Sequence, residues 1–149
     1  MKKPIVMVGF FLFLLALSPA LFAQNVITQK LATGTYIVYA ASPQVWRIRF
    51  DPKTMANATI SGHFVVTEGT PKTVDVLVFD EPNYKKWMSD PTGASSMAKP
   101  VAAVVRKSEG DVNATLTSEG YYYLVISDRF EYEGKKTFSA DSKFQYDKR

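Results

Sequence analysis

From position 35 to position 146 the chain runs in short segments in which apolar and polar residues alternate with a period of two. Turn residues cut each segment before it reaches helical length. A period of two places successive side chains on opposite faces of a strand, so the pattern commits the chain to sheets that bury one face. In 45–50, Trp46, Ile48 and Phe50 point one way and Val45, Arg47 and Arg49 the other, until Asp51-Pro52 ends the run. In 58–67, Ile60, Phe64 and Val66 oppose Thr59, Ser61, His63 and Val65, and Glu68-Gly69-Thr70-Pro71 supplies the turn. Further strands are predicted at 35–41, 73–79, 101–106, 112–117, 121–127 and 137–146, with turns at 108–111 and 118–120. The polar side of 137–146 is regular enough to face water.

One segment departs from this rhythm. Asp80 is a capping residue, Glu81 and Pro82 follow it in the first turn, and Lys85 and Lys86 come later, which are helix-start signals in the right order. A helix of about two turns is predicted over 80–88. The stretch 89–100 is rich in Gly, Ser and Pro and reads as a loop. Eight short strands and one short helix, with no crossover helices, indicate an all-β, antiparallel two-sheet sandwich.

The hydrophobic residues are unevenly spread. Seventeen of them fall within the first 23 positions, where Lys2 and Lys3 precede an apolar stretch that Ser18-Pro19 interrupts before Ala20-Leu21-Phe22-Ala23. That is the layout of a secretory signal peptide, with cleavage expected before Gln24. Pro19 leaves the stretch short of the roughly 20 apolar residues that a permanent anchor needs. The chain then divides into a signal peptide at 1–23 and one domain at 24–149, secreted or periplasmic. That domain holds roughly 41% apolar residues, an average globular value. Without Lys2 and Lys3, 16 basic residues face 14 acidic ones, so the basic balance of the whole chain gives no case for a nucleic-acid partner. The absence of cysteine excludes a disulfide-stapled miniprotein, and 126 residues are enough to bury a core without disulfides.

Three stretches, ISGHFVVTEG at 60–69, VDVLVFD at 74–80 and SEGYYYLVISDRF at 118–130, resemble the GOLD domain of the emp24/p24 type. The resemblance covers about 70 of the 126 residues, by eye. It implies a jelly-roll-like β-sandwich that binds other macromolecules without catalysis. The chain departs from the membrane members of that family in lacking their cysteine pair, coiled coil, C-terminal membrane helix and sorting tail, and Asp128 stands where their motif has Asn. No trafficking role is therefore carried across.

Catalytic and metal-binding chemistry finds little purchase. His63 is the sole histidine and lies within a predicted strand, with no nucleophile-elbow sequence near it. A structural zinc site needs about four N or S ligands. Phosphate loops, dinucleotide glycines and an EF-hand run are absent. No cofactor or metal is expected, and the chain does not read as an enzyme.

Two features stand out as binding candidates. The strand 121–126 is apolar on both faces, with Tyr121, Tyr123 and Val125 on one and Tyr122, Leu124 and Ile126 on the other; Leu77 and Phe79 raise the same question on theirs. Either another element covers the outer face, or Tyr122 belongs to an exposed aromatic surface. In the predicted helix, Tyr84 and Trp87 share a face flanked by Lys85 and Lys86; either Trp87 and Met88 pin the helix to the sheet, or the aromatic surface with its cations stacks on a sugar or grips an acidic partner. Arg47 and Arg49 extend the cations. The expected function is a non-enzymatic binding module for a protein or a cell-surface polymer, with a carbohydrate-binding module as the alternative. Mass spectrometry of the exported protein should find Gln24 at its N-terminus; retention of residues 1–23 would contradict the signal assignment.

Overall fold

The computed structural model describes residues 25–40, 42–90, 98–129, 131 and 134–149. The signal segment lies outside these residues, as does most of the predicted loop. Eight strands and one helix follow each other as β1 (Val26–Tyr39), β2 (Gln44–Phe50), β3 (Met55–Glu68), β4 (Val74–Asp80), α1 (Glu81–Ser89), β5 (Ala102–Lys107), β6 (Glu109–Thr115), β7 (Gly120–Ser127) and β8 (Lys135–Lys148). They form two antiparallel four-stranded sheets, ordered β1-β8-β3-β6 and β2-β7-β4-β5. Only β4 and β5 are both consecutive in sequence and paired; every other connection crosses between sheets. That interleaving is the eight-stranded jelly roll.

The two inner faces are those that alternation marks as apolar. Ile60, Phe64, Val112, Ala114, Phe138 and Phe144 from the first sheet meet Ile48, Phe50, Val74, Val76, Val78, Leu124 and Ile126 from the second in one core. Close approach within the first sheet depends on a glycine. A Cβ on Gly62 would collide with the Cβ of Ser142. The inward hydroxyl of Ser142 accepts the Ala32 N–H at 2.9 Å and donates to the Ala32 carbonyl at 3.2 Å. It thereby satisfies the backbone of β1 where the register shifts between Lys30 and Thr33.

The structure corrects two strand limits. β1 begins at Val26, although a strand is expected only from Thr35; in Thr28-Gln29-Lys30 polar residues fall on both faces, so the periodic signal vanishes there. β6 begins at Glu109, inside the expected 108–111 turn. The chain pivots at Ser108, whose carbonyl accepts the Val66 N–H, and passes at once from the edge of one sheet to the edge of the other.

One polar contact is buried within this core. The Lys136 side chain is 1% exposed and that of Asp128 fully buried, with Nζ and Oδ2 3.6 Å apart. Lys136 also donates to the Thr70 carbonyl at 3.0 Å, and Gly69 leaves room for its aliphatic stem. Neither Asp128 oxygen has a hydrogen bond among the described residues. Burial raises the pKa of this carboxyl, against the opposing pull of Lys136. A raised folded pKa means that the folded chain takes up this proton before the unfolded one as pH falls. The Asp128 contribution to stability therefore rises as pH drops through its folded pKa and levels off below the ordinary aspartate range. Asp128→Asn should remove that part of the pH dependence in denaturant titrations. Breaking the pair from the other side, Lys136→Met should lose about 3–5 kcal/mol, whereas the double Asp128→Leu/Lys136→Met variant should recover most of it.

Candidate functional site

The outer face of the second sheet carries six of the seven expected site residues. Asp80 caps α1 by accepting the Asn83 N–H at 2.9 Å, and this sets the helix across β4 and β7. Beneath it lie Leu77, Phe79 and Val125, buried with Trp87; Tyr84, Tyr123 and Ala98 pack around them. The second apolar face of β4 and β7 is thus covered by the helix. Tyr84 stacks flat on Tyr123 at 3.9 Å between centroids and 6° between planes, and Trp87 tilts on Phe79 at 5.7 Å. Burial against Tyr123 raises the Tyr84 pKa, so this phenol stays protonated.

Two expected binding residues are structural. Trp87 is 4% exposed, and the Arg129 guanidinium lies 4.2 Å above its ring while donating to its carbonyl at 2.8 Å. Both ring faces are occupied, so Trp87 pins the helix and offers no platform to a ligand. Tyr122 is 3% exposed, because its parity on β7 turns it inward toward Phe50. Its hydroxyl donates to the Ser118 carbonyl at 3.1 Å and accepts the Ser118 N–H at 3.2 Å, which secures the turn before β7. An exposed aromatic surface around Tyr122 is therefore ruled out.

What remains open lies beside the helix. β2 pairs with β7 so that Arg47 stands opposite Tyr123, and Arg49 opposite Tyr121. The Arg47 guanidinium leans diagonally over the Tyr121 ring, 4.8 Å from its centroid. Arg49 reaches Glu119 at 3.9 Å with both side chains more than half exposed. On the helix, Lys85 pairs with Glu81 at 2.8 Å, which raises the lysine pKa and keeps it charged. Lys86 is exposed in the last turn. A cleft of about 400 Å³, lined by Glu81, Pro82, Glu119 and Tyr121, separates the start of α1 from the turn before β7. Sequence reasoning misses Tyr121 and Tyr123 as site members, because only the pairing of β2 with β7 brings them beside Arg49 and Arg47, and misses Arg129, which the fold sets against Trp87.

The other chemical candidates lie apart. His63 stands on the outer face of the first sheet, its Nδ1 2.9 Å from Asp111 Oδ1, with the two side chains 54% and 84% exposed. Among the described residues no three His, Cys, Asp or Glu side chains gather so as to hold a metal.

No family model matches the sequence, and no curated protein does. Among solved structures the chain is similar to PliG of Aeromonas hydrophila, a periplasmic inhibitor of g-type lysozyme, at 12% identity and a TM-score of 0.45, covering 83% of this chain and 91% of that one. It is similar at the same identity and score to a chain from Bacillus endospore appendages, a family of disulfide-linked pili, covering 82% and 88%. At scores below 0.5 neither likeness bears on what this chain binds.

Since Trp87 anchors α1, Trp87→Ala should lower unfolding stability by about 3–5 kcal/mol, while Lys86→Ala stays within about 0.5 kcal/mol of the parent. Equal stability of the two variants in urea titrations would contradict the structural role.

Proposed function

We propose that the protein is a secreted, non-enzymatic binding module that recognises a protein or a cell-surface polymer through the outer face of its second sheet, at Tyr121, Arg47 and Arg49. The observation that carries this reading is the Arg47 guanidinium on the half-buried Tyr121 ring. Among the described residues no carboxylate pairs with Arg47, so its charge is not consumed within the fold. A guanidinium already resting on a ring has surrendered part of its rotamer freedom, which lowers the entropic cost of engaging a partner. Tyrosine and arginine are also the residue types that most often anchor interfaces. The GOLD resemblance points to the same class of function.

The carbohydrate alternative draws on Trp87, Tyr84 and neighbouring aromatics; Trp87 is buried and Tyr84 stacks flat on Tyr123, so neither presents a free ring as a platform. An enzymatic role centred on His63 would have to operate on an open sheet face, where the side chain is 54% exposed and its neighbour Asp111 84%. Neither competes with the binding reading.

A photocrosslinking amino acid at Val45, which is on the same face beside Arg47, tests the assignment against a control at Asn113 on the outer face of the first sheet. With the native secretome, a discrete adduct should form from position 45 and not from 113. The double variant Arg47→Ala/Arg49→Ala should reduce it about tenfold without loss of fold. No adduct at 45, or one indifferent to the arginines, would overturn the proposal.

A further inference from the structure

We propose that the free edge of β1 over Val26, Thr28 and Lys30 is a second binding site, which takes up an extended partner segment of alternating acidic and apolar residues as an added strand. It lies on the first sheet and does not depend on the Tyr121 face.

β1 pairs with β8 on one side only. Which of its backbone groups point outward follows from one bond. Lys148 N–H donates to the Asn25 carbonyl, so Asn25 faces β8; antiparallel alternation then turns the N–H and C=O of Val26, Thr28 and Lys30 to the free side. Among the described residues nothing meets them. Farther along the same edge the outward groups are treated differently. The Tyr36 hydroxyl accepts the Thr33 N–H at 2.9 Å and donates to its carbonyl at 3.1 Å, the Gln44 amide donates to the Ile37 carbonyl at 2.8 Å, and Ser42 N–H donates to the Tyr39 carbonyl at 3.0 Å. Exposed edges invite pairing with another chain, and proteins commonly cover them. Here the far end is partly covered, at Thr33, Ile37 and Tyr39, and the near end is open at every outward position.

The side chains at the open end define the occupant. Lys30 lies directly opposite Lys143, in a pair without mutual backbone hydrogen bonds, where side chains come closest. Like charges in that position are unfavourable, and among the described residues neither lysine has a carboxylate partner. Asp141, two residues from Lys143 on the same face, does not close an ion pair with either. An acidic residue on an added strand, about 5 Å from Lys30 across the new ladder, would relieve the repulsion. On the opposite face Ile27 is 38% exposed and Leu31 half-buried, with exposed Gln29 between them, which calls for apolar side chains opposite Ile27 and Leu31 and tolerates a polar one at Gln29. A second copy fits poorly. Antiparallel self-pairing about Thr28 sets Lys30 against Val26 and brings no acid to the lysines.

The probe is a synthetic peptide, Thr-Glu-Val-Glu-Val-Glu-Thr, with a control in which lysine replaces each glutamate. Added to the purified protein at about millimolar concentration, the acidic peptide should shift and protect the Val26, Thr28 and Lys30 amides in ¹H–¹⁵N spectra, and the lysine control should not. Thr28→Pro removes an outward N–H while leaving the backbone bonds to β8 in place, and should abolish the effect; Thr28→Val, which loses only the hydroxyl that accepts from the Gln145 amide at 3.0 Å, should not. Lys30→Glu, which leaves the backbone intact, should weaken it about five- to tenfold. Absence of protection, equal protection by the lysine control, or a self-associated protein whose 26–30 edge is closed by a second copy would each overturn the proposal.

Discussion

The structure depends on the last strand being threaded between the first and the third. β8 pairs along β1 on one side and β3 on the other, so the first sheet has no continuous hydrogen-bonded surface until residues 135–148 are in place. This is only feasible because β3 and β8 approach each other at Gly62 and Ser142, where any side chain on residue 62 would collide with the serine. The same serine meets the displaced backbone of β1 at Ala32. Three strands distant in sequence are thus registered at one small polar contact. Pairings of this kind close long loops before they gain any contact energy, which places the fold among the slow topologies.

Much of the architecture is legible because each strand buries one face and the residues record it. The inward sets Trp46, Ile48, Phe50 and Ile60, Phe64, Val66 follow from alternation alone, and Asp80 with Pro82 announces α1. What alternation does not encode is the partner of each strand. β7 reads as apolar on both faces, and nothing local distinguishes the face that meets the other sheet from the face that meets a helix. The assignment of Tyr122 to the interior and Tyr123 to the helix contact is a tertiary choice. For Trp87 the sequence offers both a pinning role and a binding role, and packing on Phe79 decides for the first. A tryptophan after two lysines on a short helix also looks like a recognition residue until Phe79 and Arg129 are found against its ring. The first half of β1 escapes notice because an edge strand beyond the cover of the second sheet has no need of apolar alternation.

Three kinds of surface result from one arrangement. On the second sheet, α1 occupies the half over β4 and the near side of β7, and stops short of β2. The residues that it leaves are Tyr121 and the outward arginines of β2. Their exposure is therefore set by helix length and placement, which the Asp80 cap and the Trp87 anchor determine. On the first sheet, among the described residues, no helix intervenes, and the outer face is mostly polar, with Val26, Ile37 and Tyr39 exposed along β1 and His63 and Asp111 as ordinary members of it.

The edge of β1 makes the contrast sharper. Its far half is partly covered by residues with other duties: Tyr36 also packs on Trp46 and Phe138, and Gln44 begins β2. Covering that end thus follows from the chain turning from β1 into β2. At the near end the second sheet offers no such neighbour, since β2 is half the length of β1 and connects at the far end. The open segment is a geometric consequence of pairing a 14-residue strand with a 7-residue successor. Geometry does not, however, require two lysines to face each other across it. Composition and geometry are independent here, and their coincidence at Lys30 is what distinguishes this segment from an edge left bare by strand length alone.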